Sequence, residues 1–214
     1  MLACGMGFSL PASSGEQAGT DAPPASIAEL ALHGPAQGST GIRLKLHGIE
    51  DLRNDTPKSP LVENSMDELK KQAQARYLAR NLKKDEAAVR PYIDLAWEEA
   101  SRRERLDPEL LLAIMQKESG FRPTVQSRYG AQGLMQVVRR WHREKLQPSE
   151  SLFDPEVNVR VGADVLEEYL AQAGGDMDTA LKKYSGNARG YVNSVMKEFR
   201  TLARVAEQAV TAQG

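Results

Sequence analysis

The residues best suited to chemistry lie between Leu110 and Val137, in the stretch LLLAIMQKESGFRPTVQSRYGAQGLMQV. A single acid, Glu118, stands in it, and the next Asp or Glu along the chain is Glu144. Leu111, Ile114, Met115 and Glu118 share one helical face at the 3, 4, 7 spacing, so the carboxyl group closes an apolar stripe. Gly120 ends the helix just beyond it, which puts Glu118 where the helix dipole disfavours negative charge by roughly 0.3–1 kcal/mol. Burial and dipole both raise a carboxyl pKa, as a general acid working near neutral pH requires. On spacing alone the plainer reading is a glutamate at a frayed helix end that points into water.

The residues after Glu118 add to this. Glu118-Ser119-Gly120-Phe121-Arg122-Pro123 is followed by Ser127-Arg128-Tyr129-Gly130-Ala131-Gln132-Gly133-Leu134-Met135-Gln136. In order, spacing and residue type this resembles the E-S-x-F-x-P…S-x-x-G-A-x-G-L-M-Q motif of the soluble lytic transglycosylases, a lysozyme-like family that cleaves the glycan strand of peptidoglycan. The resemblance extends to Leu152-Phe153-Asp154-Pro155-Glu156-Val157-Asn158 and Gly162, an L-x-D-P-x-x-N-x-x-x-G pattern. It continues at Lys183-Tyr184-Ser185-Gly186, where the family has A-Y-N-x-G. There the tyrosine is kept and serine replaces asparagine; Asn187, two residues on, is an alternative source of an amide.

The resemblance implies that Glu118 is the catalytic acid and base, and that Ser127, Met135, Gln136 and Tyr184 contact the substrate. Each has a plainer reading: Ser127 as a turn serine, Met135 as core, Tyr184 as a buried tyrosine with a satisfied hydroxyl. The implied reaction is non-hydrolytic cleavage of the bond between N-acetylmuramic acid and N-acetylglucosamine, giving a 1,6-anhydromuramoyl end. Glycoside hydrolysis ordinarily uses two carboxylates, and the motif supplies one. The alternatives are a muramidase that uses water, and a retained fold that binds peptidoglycan without cutting it. The implied partner is the peptidoglycan strand, with envelope-spanning machinery as a further candidate, a monomer as the expected state, and a periplasmic or outer-membrane-associated place of work.

The rest of the chain must position this stretch. Net charge is −1 from 28 basic and 29 acidic residues, which gives no nucleic-acid signal. No apolar run approaches the roughly 18–20 residues that span a bilayer. The three histidines, His33, His47 and His142, stand in unrelated contexts and Cys4 is the only cysteine, so neither a metal site nor any other cofactor is expected.

Residues 1–64, rich in Gly, Pro, Ala, Ser and Thr, read as a disordered or irregular arm, with one weak strand at Ile42, Leu44 and Leu46. Met1-Leu2-Ala3-Cys4-Gly5 reads either as the tail of a lipoprotein-type cleavage site or as a chance cysteine. A capping box at Ser65 and Glu68 predicts an extra, mostly exposed helix within 65–83, with a thin face of Leu69, Gln72, Ala73, Arg76, Tyr77 and Arg80. A mainly α, lysozyme-like domain is expected over 84–208. Its helices are capped by Asp85, Asp107, Asp154 and Asp178, with Pro108 and Pro155 at first helical positions. The charged run from Arg139 to Ser151 reads as a solvated face or as a contact for polyanionic wall material, with Trp141 as an anchor or a sugar platform.

Overall fold

The computed structural model describes residues 60–212, with side chains from residue 63. Within them the chain is mainly α, as expected. The elements are α1 (Pro60–Leu82), α2 (Glu86–Ser101), α3 (Pro108–Glu118), β1 (Ala131–Gln132), β2 (Val137–Val138), a 3-10 turn (Arg143–Lys145), α4 (Pro155–Gln172), α5 (Met177–Tyr184) and α6 (Tyr191–Thr211). The arm, Cys4 and the strand expected near Ile42 lie outside the described residues.

Helix α3 is the axle. Leu110, Leu111, Leu112, Ala113, Ile114 and Met115 are all buried, so the helix is apolar around its whole circumference rather than on one stripe. It packs between α2 and α6, while α1 lies against α6 and α2, and α4 against α2 and α5. Caps fix the entry points: Asp85 accepts from Ala87 N–H, and Asp154 from the Glu156 and Val157 amides. Asp107 holds the N-cap position of α3 through its backbone carbonyl, without a side-chain bond.

Two expected helix starts are corrected. Helix α1 begins at Pro60, so Ser65 lies inside it rather than at a capping box; proline's fixed φ suits a first helical position. Its buried face is Gln74, Ala75, Leu78 and Ala79, not the thin face read from the sequence. The small alanines allow close approach, and Gln74 is buried because both ends of its amide are used. Its Nε2 donates to Glu109 at 2.8 Å and its Oε1 accepts from the Trp97 indole at 2.9 Å, linking α1, α2 and α3. Helix α5 is capped by Asp176, which accepts from Thr179 N–H at 2.9 Å, so Asp178 falls inside the first turn.

Charge fastens α2 to α4. Arg103, just past α2, is buried against Glu99 and also pairs with Asp164 and Glu167 of α4. The run from Arg139 to Ser151 is only partly a solvated face. Arg139 donates to the Glu150 carbonyl, Lys145 pairs with Glu168 at 2.8 Å, and His142 is buried against the Tyr169 ring.

The hairpin is positioned by α4. Ala131 pairs with Val138 and Gln132 with Val137 in antiparallel register. Asn158 reaches from α4 into the turn between the strands: its Oδ1 accepts from Met135 N–H at 2.7 Å, and its Nδ2 donates to the Gln132 and Leu152 carbonyls at 2.8 Å. One turn later Gly162 leaves room for Met135, since a Cβ there would sit 2.6 Å from the Met135 sulfur and 2.8 Å from its Cβ. Asn158 and Gly162 of α4 thus both serve to hold the hairpin.

Two outcomes follow for denaturant unfolding. Arg103→Ala, which leaves buried Glu99 with only the exposed Arg102 as partner, is expected to cost about 3 kcal/mol, and Arg103→Met with Glu99→Leu to recover most of it. Equal instability of the single and double variants would show that packing, not charge, sets the cost. Asn158→Ala leaves one buried amide and two carbonyls unpaired, and is expected to cost about 3 kcal/mol; a loss below about 0.5 kcal/mol would mean that water or neighbouring groups replace the amide.

Candidate active site

The carboxyl of Glu118 ends the buried helix α3 and is itself 9% exposed. Ser119 closes the helix: its hydroxyl donates to the Met115 carbonyl at 3.1 Å, and its own carbonyl accepts from Arg122 Nε at 2.7 Å. Gly120 and Phe121 then both take left-handed φ, +58° and +57°, which turns the chain sharply away from the helix axis. Phe121 is buried beside Tyr92, and Lys84 donates to its carbonyl at 3.2 Å. That packing holds a non-glycine residue in a strained conformation directly after the acid.

Across from Glu118 is Tyr191, the first residue of α6, whose hydroxyl donates to Glu118 Oε1 at 2.6 Å inside the protein. Gly190, at φ +75°, swings the chain so that this side chain points back at α3. Burial pushes the Glu118 pKa from 4.5 up to about 7, opposed by the Tyr191 hydrogen bond and by Lys117. None of the charged groups that move it is a second carboxylate. The site therefore holds a carboxyl poised between proton donor and acceptor at neutral pH, with one oxygen engaged by Tyr191.

Two of the residues expected to touch substrate are engaged within their own loop. Ser127 Oγ accepts from the Tyr129 and Ala131 amides at 3.3 and 3.1 Å, so it shapes the loop that it stands in. Gln136, at φ +52°, donates from Nε2 to the Val125 and Gly133 carbonyls at 3.2 and 3.0 Å, and ties the two turns together. Gly133 has φ +77°, and a Cβ there would lie 2.2 Å from Asn158 Nδ2; only glycine fits.

Two expectations are corrected. The Met135 side chain is 0% exposed, packed over Gly162, and offers no face to a sugar. Tyr184 is 2% exposed and its hydroxyl donates to the Met135 carbonyl at 2.9 Å. It supports the loop from below rather than lining the surface. Ser185 is buried beside it and donates to the Lys182 carbonyl at 3.1 Å, while Asn187, at φ +61°, is exposed in the turn after α5.

Tyr191 is the site residue that sequence reasoning missed. It stands 73 positions from Glu118, and no local pattern joins the two. The one available signal was its place after a glycine at the start of the last helix. An open concavity lies elsewhere, at the α1–α2 corner between Arg76 and Glu86. Neither Glu118 nor Tyr191 lines it, and a buried carboxyl with a displaced pKa is the stronger mark of a functional site.

Residues 95–204 match the family model described as the transglycosylase SLT domain. The membrane-bound lytic murein transglycosylase C of Mannheimia succiniciproducens is 42% identical over 96 residues, covering 39% of this chain and 27% of that protein. The transglycosylase of Enterobacteria phage PRD1 is 34% identical over 112 residues, covering 48% of this chain and 41% of that protein. Among solved structures, the 70 kDa soluble lytic transglycosylase of Escherichia coli is 23% identical with a TM-score of 0.43, over 64% of this chain and 26% of that one. This chain spans well under half the length of either curated relative. The family match takes in Glu118, Tyr191 and every turn between them, and over that half of its length the chain belongs to the transglycosylase SLT domain family.

Proposed function

We propose that this chain is a peptidoglycan lytic transglycosylase with Glu118 as its acid and base. The observation that carries the reading is the Glu118–Tyr191 pair: a lone buried carboxyl with a pKa of about 7 and one oxygen engaged at 2.6 Å. When Glu118 is neutral, Tyr191 donates to Oε1 and leaves Oε2 to carry the proton towards the substrate. That proton passes to the bridging oxygen between N-acetylmuramic acid and N-acetylglucosamine as the C1–O bond breaks. Glu118, now a carboxylate, accepts the proton of the muramoyl C6 hydroxyl as its oxygen bonds to C1. The acid is regenerated, a 1,6-anhydro ring is formed, and no water is consumed. Because the nucleophile belongs to the substrate, a second carboxylate has no role, and held orientation can supply up to roughly 7–11 kcal/mol of the acceleration.

Ser127 and Gln136 serve this reaction by fixing the loop beside Glu118, and Met135 and Tyr184 by fixing the backbone beneath it. The place of work is the cell wall, outside the cytoplasmic membrane. The name of the first relative, membrane-bound and murein-directed, supports that reading. No described helix is long and apolar enough to cross a membrane.

Mass spectrometry of the soluble products from purified peptidoglycan tests the reaction. Wild type is expected to release anhydro-ended fragments and Glu118→Gln none; reducing-end fragments would instead make the protein a muramidase. The Tyr191 bond lowers the Glu118 pKa, so Tyr191→Phe is expected to move it above 7, read by carboxyl carbon NMR titration. The alkaline limb of the rate profile should move up with it, while the plateau falls about tenfold to a hundredfold from lost orientation. A Glu118 titration that does not move would remove Tyr191 from the acid's environment.

A further inference from the structure

Outside the acid and its floor, the described surface has one unusual feature, at one end of the hairpin. Tyr129 is 44% exposed and is the only large hydrophobic side chain left exposed among the described residues. The Arg128 guanidinium lies over its ring at 4.8 Å. The arrangement recurs at Arg140, which lies over the half-buried Trp141 ring, also at 4.8 Å. The two pairs flank the same end of the hairpin: Tyr129 comes two residues before the start of β1 and Arg140 two after the end of β2, and those strand ends are partnered in register.

The charges there are uncompensated. Arg76, Arg90, Arg102, Arg103 and Arg160 each sit against a carboxylate. Arg128 and Arg140 have no such partner among the described residues, a condition they share with Arg105, Arg189, Arg200 and others; both are exposed, and what sets these two apart is the aromatic ring that each lies over. The platform is also rigid. Ser127 Oγ accepts from the Tyr129 amide, Gly130 N–H donates to the Ser127 carbonyl at 3.0 Å, and Ser127 N–H donates to Ala131 at 2.8 Å. A ring held on such a turn loses little freedom on binding. A ring face suits the apolar face of a sugar, and a planar guanidinium with no internal partner suits a carboxylate.

We propose that Arg128–Tyr129 and Arg140–Trp141 form a rim that selects the peptide-bearing glycan strand, the aromatic faces taking sugar rings and the two guanidiniums the carboxylates of the peptide stems. The inference rests on the wall substrate proposed above and adds to it a preference: strands that keep their stems bind better than strands stripped of them. Guanidinium–carboxylate contacts at an exposed rim weaken with added salt, so the preference narrows as ionic strength rises.

The test is binding of the full chain carrying Glu118→Gln, so that nothing is cut. One arm uses glycan strands from purified peptidoglycan with stems intact, the other the same strands denuded by an amidase, with the lactyl carboxyl that each hydrolysis exposes capped as its methylamide. The intact rim is expected to favour the stem-bearing strand. Adding Arg128→Ala with Arg140→Ala should weaken binding of that strand about tenfold and change the denuded strand by less than about twofold. Tyr129→Ala should weaken both arms, and Tyr129→Trp should restore them. Equal affinity of the intact rim for both strands would overturn the proposal, as would an arginine pair whose loss changes neither arm or both alike. Failure of the Glu118→Gln chain to bind either strand would overturn the wall-substrate reading together with this one.

Discussion

A carboxyl group carried at the end of a helix whose central turns are wholly buried, and itself buried, has lost most of its water, and its charged form is penalised accordingly. The bond from Tyr191 restores a little of what hydration supplied, enough to bring ionisation within reach of neutral pH but not to make it free. Much of the rest of the structure can be read as what it takes to hold that balance. The run from Leu110 to Met115 must be buried to desolvate the acid, α6 must begin where it does to present the hydroxyl, and the chain after Glu118 must turn at once. The fold also bears the consequence. Glu118 keeps a proton in the folded protein that an unfolded chain would release, so its contribution to stability is present below its ordinary value near 4.5 and is lost as pH rises through about 7.

A second constraint keeps the floor of the site from moving. The turn between β1 and β2 has almost no regular pairing of its own, and helix α4 supplies what it lacks through the Asn158 side chain and the space above Gly162. From the opposite side, the Tyr184 hydroxyl reaches the Met135 carbonyl. The segment that ends in Gln136 is thereby clamped at side chain and backbone from two helices. Met135 and Tyr184 are part of this clamp, and both are buried in it. The turn at Tyr129 lies at the far end of the hairpin, away from the clamp, and there the same segment meets solvent with its rings and cations outward.

Much of this was legible from residue types. Asp85, Asp154 and the prolines after Asp107 and Asp154 mark helix starts because capping is a local event, decided within a turn of backbone. Glu118 stood out because apolar spacing and a following glycine are visible in a few residues. Asn158 and Gly162 were recognisable as structural for the same reason, although what they grip was not. The start of α1 was misplaced because Ser65 and Glu68 carry a capping signature that the packed helix simply runs through. Its buried face was misread because Gln74 looks polar until Glu109 and Trp97 take up both ends of its amide.

The sequence by itself determined the class of fold, the acid that stands alone at the end of its apolar helix, and the family to which the motif points, since each is written in neighbouring residues whose spacing repeats the period of a helix or a turn. Only the tertiary structure decided which groups surround that acid. The Tyr191 hydroxyl, the desolvation that moves Glu118, and the burial of Met135 and Tyr184 all depend on pairs far apart along the chain. Nothing local records such pairs, because hydrogen bonds and lost water act through space and become definite only once the helices have packed.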